Sequence, residues 1–255
     1  VNDTWRVRLA ADRDGERSLV LQRLNTRVFP RPDLVMANIA RLGEHLDRVG
    51  GAAAAGARRW EVPRLVPLRG NGATWLESEG QCWRLLTFIA DSHAVDTISD
   101  SRQAGELGRA LGLFHTLIHD LPASELADTL EGFHVTPRYL GDFERVLRRT
   151  EVPLTPQAQH CIAFIRDREG FMPVLEEARR AGRLQLRPIH GDPKVNNILF
   201  DARRGDAIAL IDLDTVKPGL VHYDIGDCLR SGCNRLGEET ADWRSVRFDL
   251  ELCEA

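Results

Sequence analysis

Two kinds of apolar pattern divide the chain into a strand-rich first part and a helix-rich second part. Apolar and polar residues alternate over 4–11 and 18–24, which predicts two β-strands joined by a turn at 12–15. Apolar residues recur every three or four positions from Pro32 to Val49, and this spacing predicts a helix that begins near a proline. An Ala/Gly-rich connector follows, and after it the pattern predicts strands over 64–68, 73–77 and 82–88.

Helical patterns dominate from residue 97 onward. One helix is predicted from Asp100 to His119. A second follows over 137–149 with Thr136 as its cap, and Thr155 caps a mostly helical stretch that continues to Ala181 with a break near Gly170. His115 and His119 lie one turn apart, but no third ligand is evident nearby. Core packing and a polar helix end therefore explain them better than zinc.

The most informative motif lies between Arg187 and Asp227. Its H-x-D-x-x-x-x-N spacing places a base for a substrate hydroxyl at Asp192 and a magnesium ligand at Asn197. A predicted hairpin then ends on Asp212, which would supply a second oxygen ligand, and magnesium prefers such hard ligands. This layout predicts the active site of a kinase, in which positioning and charge neutralisation do most of the work.

Several neighbours of this motif receive separate interpretations. Lys194 and Lys217 are the only lysines among the 34 basic residues. Lys194 is predicted to touch the transferring phosphate as a compact point charge, whereas Lys217 is interpreted as a solvated loop charge. His190 is predicted to brace the loop. Asp214 could be a second carboxylate on the metal side or a turn residue.

The nucleotide is predicted to bind between the first strands and a hinge at 86–90, where backbone groups would bond adenine. The second strand offers Gln22 where protein kinases place a phosphate-binding lysine. Either the side chain of the adjacent Arg23 reaches the phosphates, or Lys194 and magnesium neutralise more of the phosphate charge. Glu44 is interpreted as a surface carboxylate more readily than as a partner of Arg23. The predicted nucleotide contacts are Asn2, Thr4, Gln22, Arg23, Thr87, Phe88 and Ile89.

Three further stretches show a resemblance to one enzyme superfamily. They are VNDTWRV at 1–7, LVLQRLNTRVF at 19–29 and IDLDTVKPGLVHYDIGDCLRSGCN at 211–234. With the motif above, they resemble the aminoglycoside phosphotransferase and choline kinase superfamily of small-molecule kinases along essentially the whole chain. Within that superfamily, the sequence is most similar to the N-acetylhexosamine 1-kinase group.

The resemblance implies an α+β, bilobal protein-kinase-like fold, with a small β-rich N-terminal lobe at 1–90 and a larger helical catalytic lobe at 91–255. It also implies ATP, Mg²⁺ and transfer of the γ-phosphate to a hydroxyl of a small polar molecule. For the most similar group, that hydroxyl is the anomeric one of a hexosamine. Family members extend further, so we expect a fragment truncated at both ends.

Four residues in the second half of the third stretch are also assigned roles. Asp224 and Asp227 are predicted to form hydrogen bonds that anchor the loop carrying the H-x-D-x-x-x-x-N motif, which is called the motif loop below. Arg230 and Asn234 lie one turn apart on a predicted helix. The resemblance implies that these two side chains contact the hydroxyls of the sugar.

Composition narrows the class of protein. The 255 residues carry a net charge of −4, which argues against a general nucleic-acid binder. No apolar run is long enough for a bilayer and no signal peptide is visible, so no membrane partner is expected. Five scattered cysteines without a C-x-x-C pair predict reduced thiols in a cytoplasmic protein. The expected partners are ATP and a small-molecule sugar.

Two other functions stay open at this point. An aminoglycoside or amino-alcohol kinase would need a pocket with more carboxylates, to meet a cationic substrate. A non-catalytic nucleotide-binding protein on a kinase-like fold would account for the missing strand lysine. It would not need the combination of Asp192, Asn197 and Asp212.

Overall fold

The computed structural model describes residues 2–12, 15–50 and 58–255. The predicted turn at 12–15 and the connector at 50–57 include residues outside these ranges. Contacts divide the chain into two compact units, the first formed by Val1–Leu130 with Arg187–Ala255 and the second by Glu131–Leu186. The lobe boundary expected at residue 90 stays a prediction.

An antiparallel sheet forms the first part of the first unit. Its strands are β1 (Asp3–Asp12), β2 (Gly15–Arg23), β3 (Trp75–Ser78) and β4 (Gln81–Thr87), in the order β1-β2-β4-β3. These elements confirm the corresponding predicted strands.

The regular strand predicted over 64–68 is wrong. The segment pairs with β4 only through an isolated bridge between Leu65 and Leu86, where the carbonyl of Arg64 accepts from Thr87 and the N–H of Val66 donates to Leu85. Pro63 and Pro67 explain the difference, since a residue without an N–H group cannot continue a hydrogen-bonded ladder.

Helix α1 (Pro32–Arg48) confirms the predicted amphipathic helix. Pro32 lies in its first turn, where the missing N–H group costs nothing. Its apolar face carries Val35, Ile39, Leu42 and Leu46, all buried in the main core cluster. The opposite face is charged, so burial of one stripe stabilises the helix.

Helix α2 (Ser101–Ile118) is the central helix of the first unit. Asp100 caps it by accepting a hydrogen bond from the backbone N–H of Gln103 at 2.8 Å. Ala110 and Phe114 on this helix are fully buried. Within the described residues, no helix has both the length and the apolar character needed to cross a membrane.

The second unit contains α3 (Thr136–Arg149), α4 (Pro156–Arg166) and α5 (Val174–Arg180). Thr155 caps α4 by accepting from the N–H of Ala158 at 3.2 Å, as predicted. The predicted cap at Thr136 is wrong. That threonine is itself the first residue of α3, and the residue before it, Val135, has no side-chain oxygen with which to cap the helix.

Two small sheets and two helices complete the first unit. One sheet contains β5 (Ser92–His93), β7 (Ile198–Asp201) and β8 (Ala207–Leu210), and the other pairs β6 (Arg187–Ile189) with β9 (Lys217–Gly219). The helices are α6 (Val221–Gly232) and α7 (Leu250–Glu254). The motif loop connects β6 to β7. The sheet lobe and the helices together confirm the α+β class.

Candidate active site

The loop 190–197 is fixed by the carboxylate of Asp224 on α6. The backbone N–H groups of His190 and Gly191 donate to its two oxygens, each at 2.8 Å. Asp224 is fully buried, so these bonds are shielded from water. Gly191 has φ 87°, and a Cβ added there would lie 2.5 Å from the carbonyl oxygen of Thr215. The prediction that Asp224 anchors the loop is confirmed.

His190 braces the loop from beneath. It is fully buried, and burial lowers the pKa of its imidazole below the ordinary value. The N–H of Asp192 donates to Nδ1 at 3.2 Å, so Nε2 carries the proton and donates to the carbonyl of Ile211 at 2.9 Å. A neutral imidazole therefore joins the loop to the end of β8. The structural role predicted for His190 is confirmed.

Three polar side chains of the loop come together next to this brace. The ammonium of Lys194 lies 3.1 Å from Oδ2 of Asp192. The amide nitrogen of Asn197 donates to the carbonyl oxygen of Asp192 at 2.7 Å and to Oδ2 at 3.1 Å. Burial opposes the charge of Lys194, but attraction to Asp192 raises the pKa of the ammonium above its usual value. The ammonium of Lys194 therefore stays charged.

Asp212 follows β8 by two residues rather than ending the strand itself. Its φ of 62° is left-handed, and it precedes a short 3-10 helix at Leu213–Thr215. Burial, together with the negative charges of Asp214 and Asp192, raises the pKa of Asp212 to about 6. Among the described residues no basic side chain pairs directly with Asp212. A cation at this point would relieve the repulsion.

The donors at this point suit a hard divalent cation. The amide nitrogen of Asn197 is used toward Asp192, so its carbonyl oxygen is the side-chain atom left to bind a cation, and Asn197 and Asp212 line the same cavity. If one carboxylate oxygen and one amide oxygen bind Mg²⁺, phosphate oxygens and water can fill its other coordination positions. The described residues contain no group of three or more His, Cys, Asp or Glu side chains arranged for a metal.

A cavity of about 370 Å³ brings most of the predicted nucleotide contacts together. Asn197 and Asp212 lie at its polar end. Residues of the predicted hinge, which follows β4, line the cavity together with residues of the adjacent strand β2. The predicted residues that line it are Thr4, Gln22, Thr87, Phe88 and Ile89.

Two of the predicted nucleotide contacts lie elsewhere. Arg23 does not swing into the cavity, because side chains alternate along a strand and the inward position belongs to Gln22. The Nε of Arg23 instead donates to Asp3 at 2.8 Å, on the other face of the sheet. Asn2 contacts Asp214, with its amide nitrogen 2.7 Å from Oδ2. Glu44 pairs with Arg41, not with Arg23.

Arg84 on β4 belongs to the site, although no local sequence pattern assigns it a role there. Its guanidinium is buried and lies 2.5 Å from Oδ1 of Asp214, whose side chain is also buried. Asp214 is therefore held by a buried ion pair within the short 3-10 helix Leu213–Thr215, and a role as a second carboxylate on the metal side stays a prediction. The only sequence signal was a charged residue inside the apolar run from Cys82 to Phe88, with no indication of its partner.

The interpretation of Lys217 as a solvated charge is wrong. Only 3% of this residue is exposed, and its ammonium donates to Asp128 at 2.5 Å and to the carbonyl of Leu130 at 2.7 Å. Its position in β9, which pairs with β6, carries the side chain inward. Lys217 therefore forms a structural ion pair with Asp128, which holds β9 against the segment after α2.

Arg230 and Asn234 lie beside a second cavity of about 610 Å³. Arg230 is paired with Asp227 and with Glu238, at 2.7 Å in each case. Asn234 is held in a turn, since its amide donates to the carbonyl of Gly237 at 2.9 Å. A hydrogen bond from the N–H of Val195 to Ser231 Oγ, 3.1 Å long, ties the motif loop to α6 next to this cavity.

Comparison with solved structures shows which fold this arrangement belongs to. A microcompartment-associated aminopropanol kinase is 18% identical, with a TM-score of 0.57 over 89% of this chain and 69% of that one. An aminoglycoside phosphotransferase from Alicyclobacillus acidocaldarius is 16% identical, with a TM-score of 0.52 over 88% of this chain and 66% of that one. An ethanolamine kinase from Plasmodium vivax is 14% identical, with a TM-score of 0.52 over 98% and 65%.

These similarities confirm the protein-kinase-like fold, and the chain spans about two thirds of the length of these structures. At such low identity they carry no conclusion about a substrate. The sequence itself matches the family model described as the phosphotransferase enzyme family over residues 2–247. Because that match covers nearly all of the sequence, the chain belongs to the phosphotransferase enzyme family.

Proposed function

We propose that the protein transfers the γ-phosphate of ATP to a hydroxyl of a neutral sugar, with Mg²⁺ as the cofactor. The observation that carries this proposal is that Asn197 and Asp212 line one cavity together, while Asp192 contacts Asn197 just outside its lining. Adenine would lie at the other end, along the hinge at Thr87–Ile89. The proposed acceptor is an N-acetylhexosamine, phosphorylated at its anomeric oxygen, and the proposed compartment is the cytoplasm.

Asp192 is the proposed base for the acceptor. Its carboxylate takes the hydroxyl proton as the acceptor oxygen bonds to the γ-phosphorus and the bond to the β–γ bridging oxygen breaks, releasing ADP. Lys194 holds Asp192 in place before the substrate arrives and offers a positive charge to the transferring group. Mg²⁺, when bound through Asn197 and Asp212, would neutralise phosphate charge.

The charges around the second cavity support a neutral acceptor. Arg230 is balanced by Asp227 and Glu238, while Arg247 adds a further positive charge to the lining. A polycationic aminoglycoside would meet two guanidinium groups here, with only Glu238 among the lining residues to attract it. A sugar without charge can hydrogen-bond to the same side chains without that repulsion.

A substrate panel tests the proposed activity. We expect ATP consumption by the complete protein to require Mg²⁺ and to rise with an N-acetylhexosamine, but not with ethanolamine or an aminoglycoside. A coupled ADP assay with phosphorus NMR of the product measures both turnover and the hydroxyl used. Turnover with a cationic acceptor alone would contradict the sugar assignment. Nucleotide binding without turnover on any acceptor would favour the non-catalytic alternative.

Asp192→Asn tests the proposed base. The amide keeps the size of the side chain but cannot accept the proton, so kcat is expected to fall by about 10²–10⁴. The affinity for ADP, measured by calorimetry, should stay within a few-fold, because Asp192 is not among the residues that line the nucleotide cavity. Unchanged turnover would remove Asp192 from the mechanism.

Asp212→Asn tests the electrostatic cost of the candidate metal site in the ligand-free protein. The pKa of Asp212 is about 6, against 3.8 for an unperturbed aspartate, so the ionised group opposes folding at higher pH. Asparagine tolerates the left-handed φ of this position. Asp212 is exposed to solvent, and water screens the repulsion, so we expect the variant to gain no more than about 1 kcal/mol of unfolding free energy at pH 8, and progressively less as the pH falls from 6 toward 4.

Asp214→Asn is the matched control for this measurement. It removes the partner of the buried guanidinium of Arg84, so it should lose stability at both pH values instead of gaining it. Denaturant unfolding of the three proteins at pH 5 and pH 8 gives the comparison. An equal loss of stability in both variants would contradict the electrostatic account.

A further inference from the structure

One row of polar side chains crosses three strands of the N-terminal sheet. In the strand register Thr4 on β1 lies opposite Gln22 on β2, and Gln22 lies opposite Arg84 on β4. Directly opposed residues share a face, and these three contact one another in sequence. The row starts at the nucleotide cavity, which Thr4 and Gln22 line, and ends beneath it at Arg84.

The orientation of the Gln22 amide is determined by Arg84. The Nε and Nη2 atoms of Arg84 donate to Oε1 of Gln22, at 2.9 Å and 2.7 Å. An arginine can only donate, so the carbonyl end of the amide must face it and the nitrogen end must face away. The nitrogen donates to Thr4 Oγ1 at 3.1 Å. Among the described residues this uses one of its two N–H groups.

Two neutral donors are thereby presented to the cavity. The second N–H of Gln22 is available to a ligand, and Thr4, whose oxygen already accepts from Gln22, can donate its hydroxyl proton. A ligand that suits this pair has acceptors and no donors, and phosphate oxygens meet that description. The strand position therefore offers hydrogen-bond donors where it has no lysine.

The same guanidinium joins the sheet to the loop that carries Asp212. Arg84 is only 2% exposed, and a buried charge needs a partner. Its partner is Asp214, whose second oxygen accepts from Asn2. Asp214 lies two residues after Asp212. The buried guanidinium of Arg84 therefore fixes both the hydrogen-bond donors at Gln22 and the loop that carries the carboxylate of Asp212.

We propose that Arg84 is a positioning residue, which holds Gln22 so that its amide N–H binds a phosphate of the nucleotide. This inference rests on the proposed function. Arg84 itself stays paired with Asp214 beneath the cavity, so the phosphate meets an oriented neutral donor rather than a mobile cation. The contact between Arg84 and Gln22 should therefore change affinity only for ligands that carry phosphates.

Calorimetric titration of the complete protein with MgADP and with adenosine tests this assignment. Gln22→Glu keeps an oxygen toward Arg84, so the fold should be as stable as the wild type or more so. The variant replaces the amide donor with a carboxylate oxygen that repels phosphate. We expect affinity for MgADP to fall about tenfold to a hundredfold, because a hydrogen bond to a charged group is lost. Adenosine, which lacks phosphates, should bind equally well to both proteins.

A double variant tests the contribution of Arg84 through Gln22. In Arg84→Met with Asp214→Asn, no buried charge is left unpaired, and Gln22 is free to rotate. MgADP affinity should again fall while adenosine affinity is retained, and Arg84→Lys with native Asp214 should recover only part of the loss, because lysine lacks the forked donors.

The outcomes separate the two levels of the proposal. If the wild type binds MgADP and Gln22→Glu binds it as tightly, the assignment of Gln22 and Arg84 is overturned while the proposed function stands. Equal losses for MgADP and adenosine would also overturn it, since they would indicate general damage to the cavity. A wild-type protein that binds neither ligand would remove the proposed nucleotide site altogether.

Discussion

Two backbone N–H groups, those of His190 and Gly191, donate to one buried carboxylate, that of Asp224, and the geometry of the site depends on this clamp. Asp224 lies on α6 and comes within 3.0 Å of His115 on α2, so the loop is held against two helices of the core. The clamp leaves the next residue, Asp192, at the surface of the loop. A carboxylate suits this task because it accepts from both N–H groups and cannot compete as a donor.

The charges around the clamp explain how three aspartates can lie close together. Asp192 is paired with Lys194, and Asp214 is paired with Arg84. Within the described residues Asp212 has no basic partner of its own, and its pKa is raised to about 6 as a result of burial and of its two acidic neighbours. The protein thus concentrates one uncompensated negative charge at the polar end of the cavity. That is the electrostatic condition under which a divalent cation and a phosphate chain bind together.

Local patterns allowed much of this to be predicted from the sequence. Helices α1 and α2 follow from the spacing of apolar residues, and the Asp192–Asn197 motif follows from spacing within a single loop. The residues that escaped prediction are those whose roles depend on distant partners. Arg84 and Lys217 are buried by contacts with Asp214 and Asp128, 130 and 89 positions away, which no local pattern reveals. Arg23 was misplaced because a shift of one residue in a strand exchanges its two faces.

The central claim is that Asp212 and Asn197 receive the metal of a bound nucleotide next to Asp192. A crystal structure of the complete protein with ADP and Mn²⁺ tests it directly, because anomalous scattering locates the ion independently of the phasing model. The account predicts one peak within about 2.0–2.4 Å of an oxygen of both Asp212 and Asn197, with ADP along Thr87–Ile89. Nucleotide density elsewhere, or an ion coordinated only by other side chains, would contradict it.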